Sequence, residues 1–174
     1  MLRVTGALMV ELPCVIEVDP YVPLQFEAYI GVPPLARAFL IGNARSLFEM
    51  WVECDSWLVR GMDLVIFDRV LLPEEVGEAT WEEEREGLPL VDPASVPEEV
   101  IEEHVEFGVG LVGDTLVIDW SDSPRFDQMI CFQTVRFYVG GGELRRVAFC
   151  ALNASQQAML VEHINRRVER SSAT

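Results

Sequence analysis

The 174-residue chain contains no lysine, and all thirteen of its basic residues are arginine. Arginine codons are rich in G and C, so we infer a bacterial genome of high GC content. Twenty-nine acidic residues oppose these arginines and give a net charge of −16 at pH 7. Proteins that bind nucleic acid or anionic membranes rely on positive charge, so we expect neither as a partner.

Cysteine is scarce, and its spacing excludes the usual zinc and thiol-redox motifs, which place two cysteines three positions apart. The four cysteines are Cys14, Cys54, Cys131 and Cys150. Each has apolar neighbours, which predicts reduced, buried thiols in a cytoplasmic protein. The chain also lacks the apolar run of a signal peptide or a membrane span, and this too favours the cytoplasm.

Motifs that carry chemistry are also missing. The two histidines, His104 and His163, belong to no His-x-x-x-His or Glu-x-x-His pattern. His104 lies among glutamates, where a solvated surface is a simpler interpretation than a metal site. Asp119 ends an apolar run and precedes turn residues, which favours a turn over a catalytic acid. We therefore expect no catalytic residues, no metal and no cofactor.

Most of the chain has the pattern of β-strands. Alternating and β-branched apolar runs predict strands over much of 1–72 and 107–152. Glycine turns at Gly113-Asp114 and at 140–142 predict hairpins, the second between strands over 129–139 and 144–152. In that register Cys131 lies opposite Ala151, and its thiol points away from that of Cys150.

The chain ends in a predicted helix, which Asn153 or Ser155 would cap. Runs of strands with segregated helices are typical of an α+β fold. We predict a single domain over 1–174, built on a mainly antiparallel, β-barrel-like sheet. Its helical parts would be the C-terminal helix and an acidic helical insertion at about 73–106.

Residues 73–106 differ from the rest because they contain thirteen acidic residues and one arginine. Ser95 and Glu98 have capping-box spacing, with Pro97 in the first turn, which predicts a short helix over 97–106. A weaker helix is predicted over 73–84. The segment is either a solvated face that improves solubility or a recognition surface for a basic partner. The candidate partner-binding residues are Glu82, Glu83, Glu84, Glu98, Glu99, Glu102 and Glu103.

The order of segments resembles a known family. The run 38–41 leads into Asn43-Ala44-Arg45-Ser46, and 147–152 leads into the last helix. This resembles the PilZ family, small bacterial barrels with a helix after the last strand, many of which bind cyclic di-GMP and signal to a partner. The family's Arg-x-x-x-Arg motif is missing, and Arg45 and Phe48 replace the serine and glycine of its Asp/Asn-x-Ser-x-x-Gly loop. The resemblance implies the fold, and we expect no binding of cyclic di-GMP.

Three functions remain open at this stage. The first is a non-catalytic, cytoplasmic binding or regulatory module that acts through protein–protein contacts. The second is a toxin-immunity protein or secretion chaperone that neutralises a basic protein. The third is an enzyme with an unrecognised site. The sequence leaves the oligomeric state open.

Overall fold

The computed structural model describes residues 1–96, 101–121 and 123–172 of the chain. Within these ranges the chain forms fifteen strands and two helices. The strands are β1 (Val4–Leu8), β2 (Val15–Glu17), β3 (Leu24–Glu27), β4 (Ala36–Asn43), β5 (Ser46–Glu53), β6 (Val59–Ile66), β7 (Arg69–Val70), β8 (Thr80–Glu86), β9 (Leu88–Val91), β10 (Ile101–Glu103), β11 (Gly108–Val112), β12 (Thr115–Asp119), β13 (Arg125–Phe132), β14 (Val135–Gly140) and β15 (Glu143–Phe149). The helices are α1 (Pro73–Val76) and α2 (Ala154–Ser172), and neither is long and apolar enough to cross a membrane.

The strands form two large sheets and a short ribbon, which makes the protein α+β with mainly antiparallel sheets. The six-stranded sheet has the order β10-β4-β5-β6-β3-β2, and the seven-stranded sheet has the order β7-β11-β12-β15-β14-β13-β8. Three pairs are parallel: β10 with β4, β7 with β11, and β8 with β13. The ribbon pairs β1 with β9, and isolated bridges tie it to both large sheets.

Aromatic side chains fill the space between the two large sheets. Strand β5 alternates between buried and half-buried residues, as expected for a strand with one face on the core. Phe26 of β3 contacts Phe132, Phe137 and Phe149 of the opposite sheet, with ring centroids 6.3–6.4 Å apart. These contacts hold the inner faces together and leave the outer face of the six-stranded sheet available for other contacts.

The local turn and cap predictions are confirmed. Gly113, at φ +60°, joins β11 to β12, and Gly141 and Gly142 join β14 to β15 at φ +63° and +75°. Asn153 caps α2, since its Oδ1 accepts from the N–H of Gln156 at 3.0 Å and the side chain of Gln156 accepts from its N–H. Glycine and asparagine adopt these roles because of their own backbone preferences.

The helices predicted in the acidic segment are wrong where the structure describes them. Residues 73–84 contain only the single turn of α1 before β8 begins, and residues 101–103 form β10. Residues 97–100 lie outside the described part. Asp92, rather than Ser95, acts as the cap, since its Oδ1 accepts from the N–H of Ala94 at 2.9 Å in a 3-10 turn over Pro93–Ser95. The Ser95 hydroxyl instead accepts from the N–H of Arg3 at 3.2 Å.

The predicted register around the cysteines is also wrong. A turn after Phe132 ends β13, so Cys131 pairs with Arg136, which in turn pairs with Ala148. This places Cys131 and Cys150 on one face of the sheet, packed beside the same small apolar cluster. All four cysteines are free and only partly buried. Burial raises the pKa of Cys14 to about 11, which keeps it a thiol at neutral pH.

Candidate functional site

The outer face of the six-stranded sheet carries a cavity of about 330 Å³, which we call the Trp51 pocket. Its walls include Tyr29, Pro33, Pro34, Trp51, Arg60 and Asp63. The pocket lies over the centre of the sheet, because Trp51 of β5 pairs with Gly61 of β6, and Gly61 pairs with Glu27 of β3. Three neighbouring strands therefore supply its floor.

Because Gly61 has no side chain, the Trp51 indole can pack closely against the sheet. A Cβ at this position would lie 3.2 Å from Cδ1 of Trp51 and 3.3 Å from the carbonyl oxygen of Phe26. The indole Nε1 donates to Oδ2 of Asp63 at 3.0 Å, and Nε2 of Gln25 donates to Oδ1 of Asp63 at 3.3 Å. Two neutral donors thus fix the Asp63 carboxylate and leave its charge uncompensated.

Arg60 reaches the pocket because of a bulge in β6. Trp51 pairs with Gly61 but Val52 pairs with Val59, so Arg60 is an extra residue. Its side chain is 13% exposed, and its Nε lies 3.3 Å from Oε2 of Glu53. That contact is an ion pair without hydrogen-bond geometry. Among the described residues, Arg60 Nε is the buried side-chain nitrogen that has no hydrogen-bond partner.

Negative charge collects around the pocket. Burial, together with the neighbouring charge of Asp63, raises the pKa of Glu49 above its ordinary value. A hydrogen bond from the Tyr29 hydroxyl to Glu27 raises the pKa of Tyr29. Within the described ranges, no ion pair joins Glu27, Glu49 or Asp63 to a basic side chain. The pocket therefore combines an aromatic wall with two carboxylates, Glu27 and Asp63, that form no described ion pair, while its Arg60 pairs with Glu53.

Glu49→Gln should stabilise the protein at pH 7. The folded-state pKa of Glu49 is raised, so the ionised carboxylate opposes folding above that pKa. Below its ordinary pKa of 4.5 the group is protonated in both states, so the gain from the substitution should fade as the pH drops towards 4.5. Urea denaturation at pH 7 and pH 4.5 measures this difference.

Glu17→Gln provides the matched control for Glu49→Gln. Glu17 lies exposed on β2 of the same sheet. We expect its substitution to change the free energy of unfolding by no more than about 0.5 kcal/mol. A loss of stability in Glu49→Gln at pH 7, or a gain that persists unchanged at pH 4.5, would contradict the interpretation of the Glu49 environment.

An exposed apolar loop borders the pocket. This apolar loop, residues 29–35, joins β3 to β4 and carries Ile30, Val32 and Leu35 at 70%, 86% and 80% exposure. Its ends are fixed by backbone hydrogen bonds from Ala28 to Arg60 and from Cys54 to Leu35. Three large apolar side chains therefore face solvent beside one cavity, and exposed apolar residues grouped in this way are uncommon on the surface of a soluble monomer.

The sequence patterns do not single out this site, because residues 29–35 lie within 1–72, where mainly strands are predicted. The available signal was the composition of 29–35, which is Tyr-Ile-Gly-Val-Pro-Pro-Leu and contains no charged residue. A turn is normally polar, so an apolar turn in a strongly acidic chain is itself an anomaly.

The structure separates the acidic residues that the sequence analysis grouped together. Glu82, Glu83 and Glu84 lie on β8, whose seven residues are all exposed at the end of the seven-stranded sheet. Glu102 and Glu103 lie on β10, at the end of the six-stranded sheet, and Glu103 pairs with the amino group of Met1. Glu98 and Glu99 lie outside the described residues. The acidic residues that are described thus occupy two sheet edges and not one helical face.

His163 and Asp119 make contacts that hold the fold together. Nε2 of His163 lies 2.6 Å from the carbonyl oxygen of Asp19 and ties α2 to the turn after β2. Asp119 pairs with buried Arg146, whose Nη2 also donates to the carbonyl of Val76 at 2.9 Å. Across the described parts of the chain, no group of three or more His, Cys, Asp or Glu side chains is placed to hold a metal.

A second cavity of about 700 Å³ lies between the β1–β2 connection and the turn after β13. Its lining includes the Cys131 thiol, whose pKa is raised by burial and by the charge of Glu84. The Trp51 pocket is the stronger candidate, because the exposed apolar loop borders it. No family model matches the chain, and no curated protein matches its sequence.

Proposed function

We propose that the protein is a non-catalytic bacterial regulatory module of the cytoplasm that binds a basic protein partner. The partner would dock on the outer face of the six-stranded sheet, over the apolar loop and the Trp51 pocket. The observation that carries this proposal is the exposure of Ile30, Val32 and Leu35, at 70–86%, beside an acidic cavity. A large exposed apolar group with a polar rim is typical of a protein-binding site.

The charge of the chain supports a basic partner. The whole molecule carries a net charge of −16, and two of its carboxylates, Glu27 and Asp63, line the pocket without a described ion pair. A field of one sign accelerates association with a partner of the opposite sign. The glutamates of β8 and β10, which the sequence singles out, would act in this steering at a distance from the docking face.

The groups best suited to acid–base chemistry support a non-catalytic role. His163 and Asp119 are both held in structural contacts, with the Asp19 carbonyl and with Arg146. We also keep the barrel-like, PilZ-like arrangement as a proposal. It is supported by bridges that tie the β1–β9 ribbon to both large sheets, and by a helix that follows the last strand.

The proposal is tested with two matched triple variants. The loop variant carries Ile30→Ser, Val32→Ser and Leu35→Ser, and the β8 variant carries Glu82→Gln, Glu83→Gln and Glu84→Gln. All six positions are exposed, so both variants should fold like the wild type. Each protein is used as bait in a host lysate, and captured proteins are quantified by mass spectrometry.

We expect the wild type and the β8 variant to capture at least one basic protein. The loop variant should capture about tenfold less of that protein, which corresponds to a loss of about 1.4 kcal/mol of binding free energy. That protein is then purified, and its binding to the three baits is measured by calorimetry. Equal capture by the wild type and the loop variant would refute docking at this face. If the β8 variant alone loses capture of the partner, the interface lies at the acidic edge formed by β8.

A further inference from the structure

We propose that the Trp51 pocket receives a single arginine side chain from an extended segment of the protein partner. This inference rests on the proposed function, because it names the group by which the partner enters the docking face. It follows from three features of the pocket, which are an aromatic wall, uncompensated carboxylates and a buried donor without an acceptor.

The aromatic wall suits a flat cation. The indole of Trp51 and the ring of Tyr29 line the same cavity. A guanidinium group stacks on an aromatic face and gains from the negative face of the ring, and the gain grows when water is excluded. Lysine offers a compact, strongly hydrated charge that cannot stack in this way. The wall therefore favours arginine.

The carboxylates supply the acceptors that a guanidinium needs. Asp63 and Glu27 line the cavity, and Glu49 lies beside Asp63 on the neighbouring strand. The described partners of Asp63 are neutral donors, Trp51 and Gln25. Hydrogen bonds from a charged donor to a carboxylate are about twice as strong as neutral ones. The raised pKa of Glu49 reflects burial and the same excess of negative charge.

The buried side chain of Arg60 favours a ligand that is part of a peptide. Its charge is opposed by Glu53, at 3.3 Å, so it does not cancel the charge of Asp63 and Glu27. Its buried Nε–H has no acceptor in the described structure. A buried donor of this kind costs stability until it is paired. A backbone carbonyl next to the bound side chain would supply that acceptor.

The size of the pocket fits one side chain. A volume of about 330 Å³ lies at the lower end of ligand pockets, which span about 300–1,000 Å³. The adjoining Pro33 and Pro34 continue the wall towards the exposed residues of the apolar loop. A segment that places arginine in the cavity would lay its neighbouring residues along this loop.

The test uses N-acetyl-arginine N-methylamide, a blocked arginine that carries one side chain and two backbone carbonyls. Its neutral analogue, the blocked citrulline, has nearly the same shape. Each probe is titrated into the full-length protein, and binding is followed by the NMR signal of the Trp51 indole N–H, assigned with Trp51→Phe. We expect saturable binding of the arginine probe and about tenfold or greater weakening for citrulline.

Three variants locate the binding. Asp63→Asn and Glu27→Gln should each lower the affinity for the arginine probe several-fold. Glu17→Gln, on the same sheet but outside the pocket, should leave that affinity unchanged. Asp63→Asn keeps an acceptor for the Trp51 indole, so the pocket should keep its shape. Equal affinity for citrulline, tighter binding of a blocked glutamate, or no shift of the Trp51 signal would each overturn the inference.

The loop variant separates this inference from the proposed function. Its substitutions lie at the rim, so it should bind the blocked arginine like the wild type while losing the partner protein. If partner capture depends on the loop but the arginine probe gives no shift, the docking face stands and the arginine assignment fails. If the probe binds and partner capture is independent of the loop, the proposed docking face fails.

Discussion

Arg146→Met should lower the free energy of unfolding by about 3–5 kcal/mol, as expected when one partner of a buried ion pair is removed. Arg146 is 4% exposed and its partner Asp119 is 10% exposed. The guanidinium also donates to the Val76 carbonyl at 2.9 Å and lies 5.3 Å from the centre of the Phe126 ring. Its loss would leave the Asp119 carboxylate buried without a cation. Urea denaturation at pH 7 measures the cost.

The adjacent residue provides the control. Arg145 is 35% exposed and pairs with Glu143, so Arg145→Met should cost no more than about 1 kcal/mol. The double variant Asp119→Leu/Arg146→Met should recover much of the loss, because no buried charge remains without its partner. If Arg146→Met lowers the free energy of unfolding as little as Arg145→Met does, the buried pair contributes little to stability.

Phe26→Ala should cost a similar amount, about 3–5 kcal/mol, because it opens a cavity between the two large sheets. Phe26 is 1% exposed, and its ring touches three phenylalanines of the seven-stranded sheet. The neighbours belong to β13, β14 and β15, whose backbone pairing prevents them from collapsing into the space. Thermal and urea denaturation should both report the loss.

Two further substitutions calibrate the Phe26 result. Phe26→Leu keeps most of the buried volume and should cost less than half as much as Phe26→Ala. Tyr21→Ala removes an aromatic ring that is 90% exposed, and we expect a change within about 0.5 kcal/mol. If Phe26→Ala costs as little as Tyr21→Ala, the contact between the sheets is not the main core of the protein.

The features that the sequence predicted correctly are local. Gly113, Gly141 and Gly142 adopt the positive φ that only glycine takes easily, so their turns can be read from residue type. Asn153 caps α2 because its side chain reaches the N–H of Gln156, three residues on. In each case the deciding interaction spans a few residues and depends little on the rest of the fold.

The acidic segment was misread because its structure is set by distant partners. Residues 80–86 pair in parallel with β13, which begins about forty residues later, and residues 101–103 pair with β4. The capping-box pattern at Ser95 is real in sequence, but the Ser95 hydroxyl bonds with Arg3 and Asp92 instead. Tertiary pairing overrides local helix propensity here, as it often does.

The Trp51 pocket could be predicted only in part. The apolar composition of 29–35 is visible in the sequence. The contact of Trp51 with Asp63 depends on the β5–β6 register, and that register shifts at the Arg60 bulge. A shift of one residue turns every side chain beyond it to the other face. The position of Arg60 in the pocket therefore follows from a bulge that no residue pattern predicts.

The position of strand β8 at a sheet edge affects whether copies of this chain associate. It ends the seven-stranded sheet, and the free edge of such a strand is a template on which another chain can polymerise. Four glutamates, Glu82, Glu83, Glu84 and Glu86, oppose this by repulsion between like charges. That barrier depends on ionised carboxylates, and a hydrogen bond from Arg85 lowers the pKa of Glu83. Loss of these charges would weaken the repulsion and favour pairing between the β8 edges of two copies.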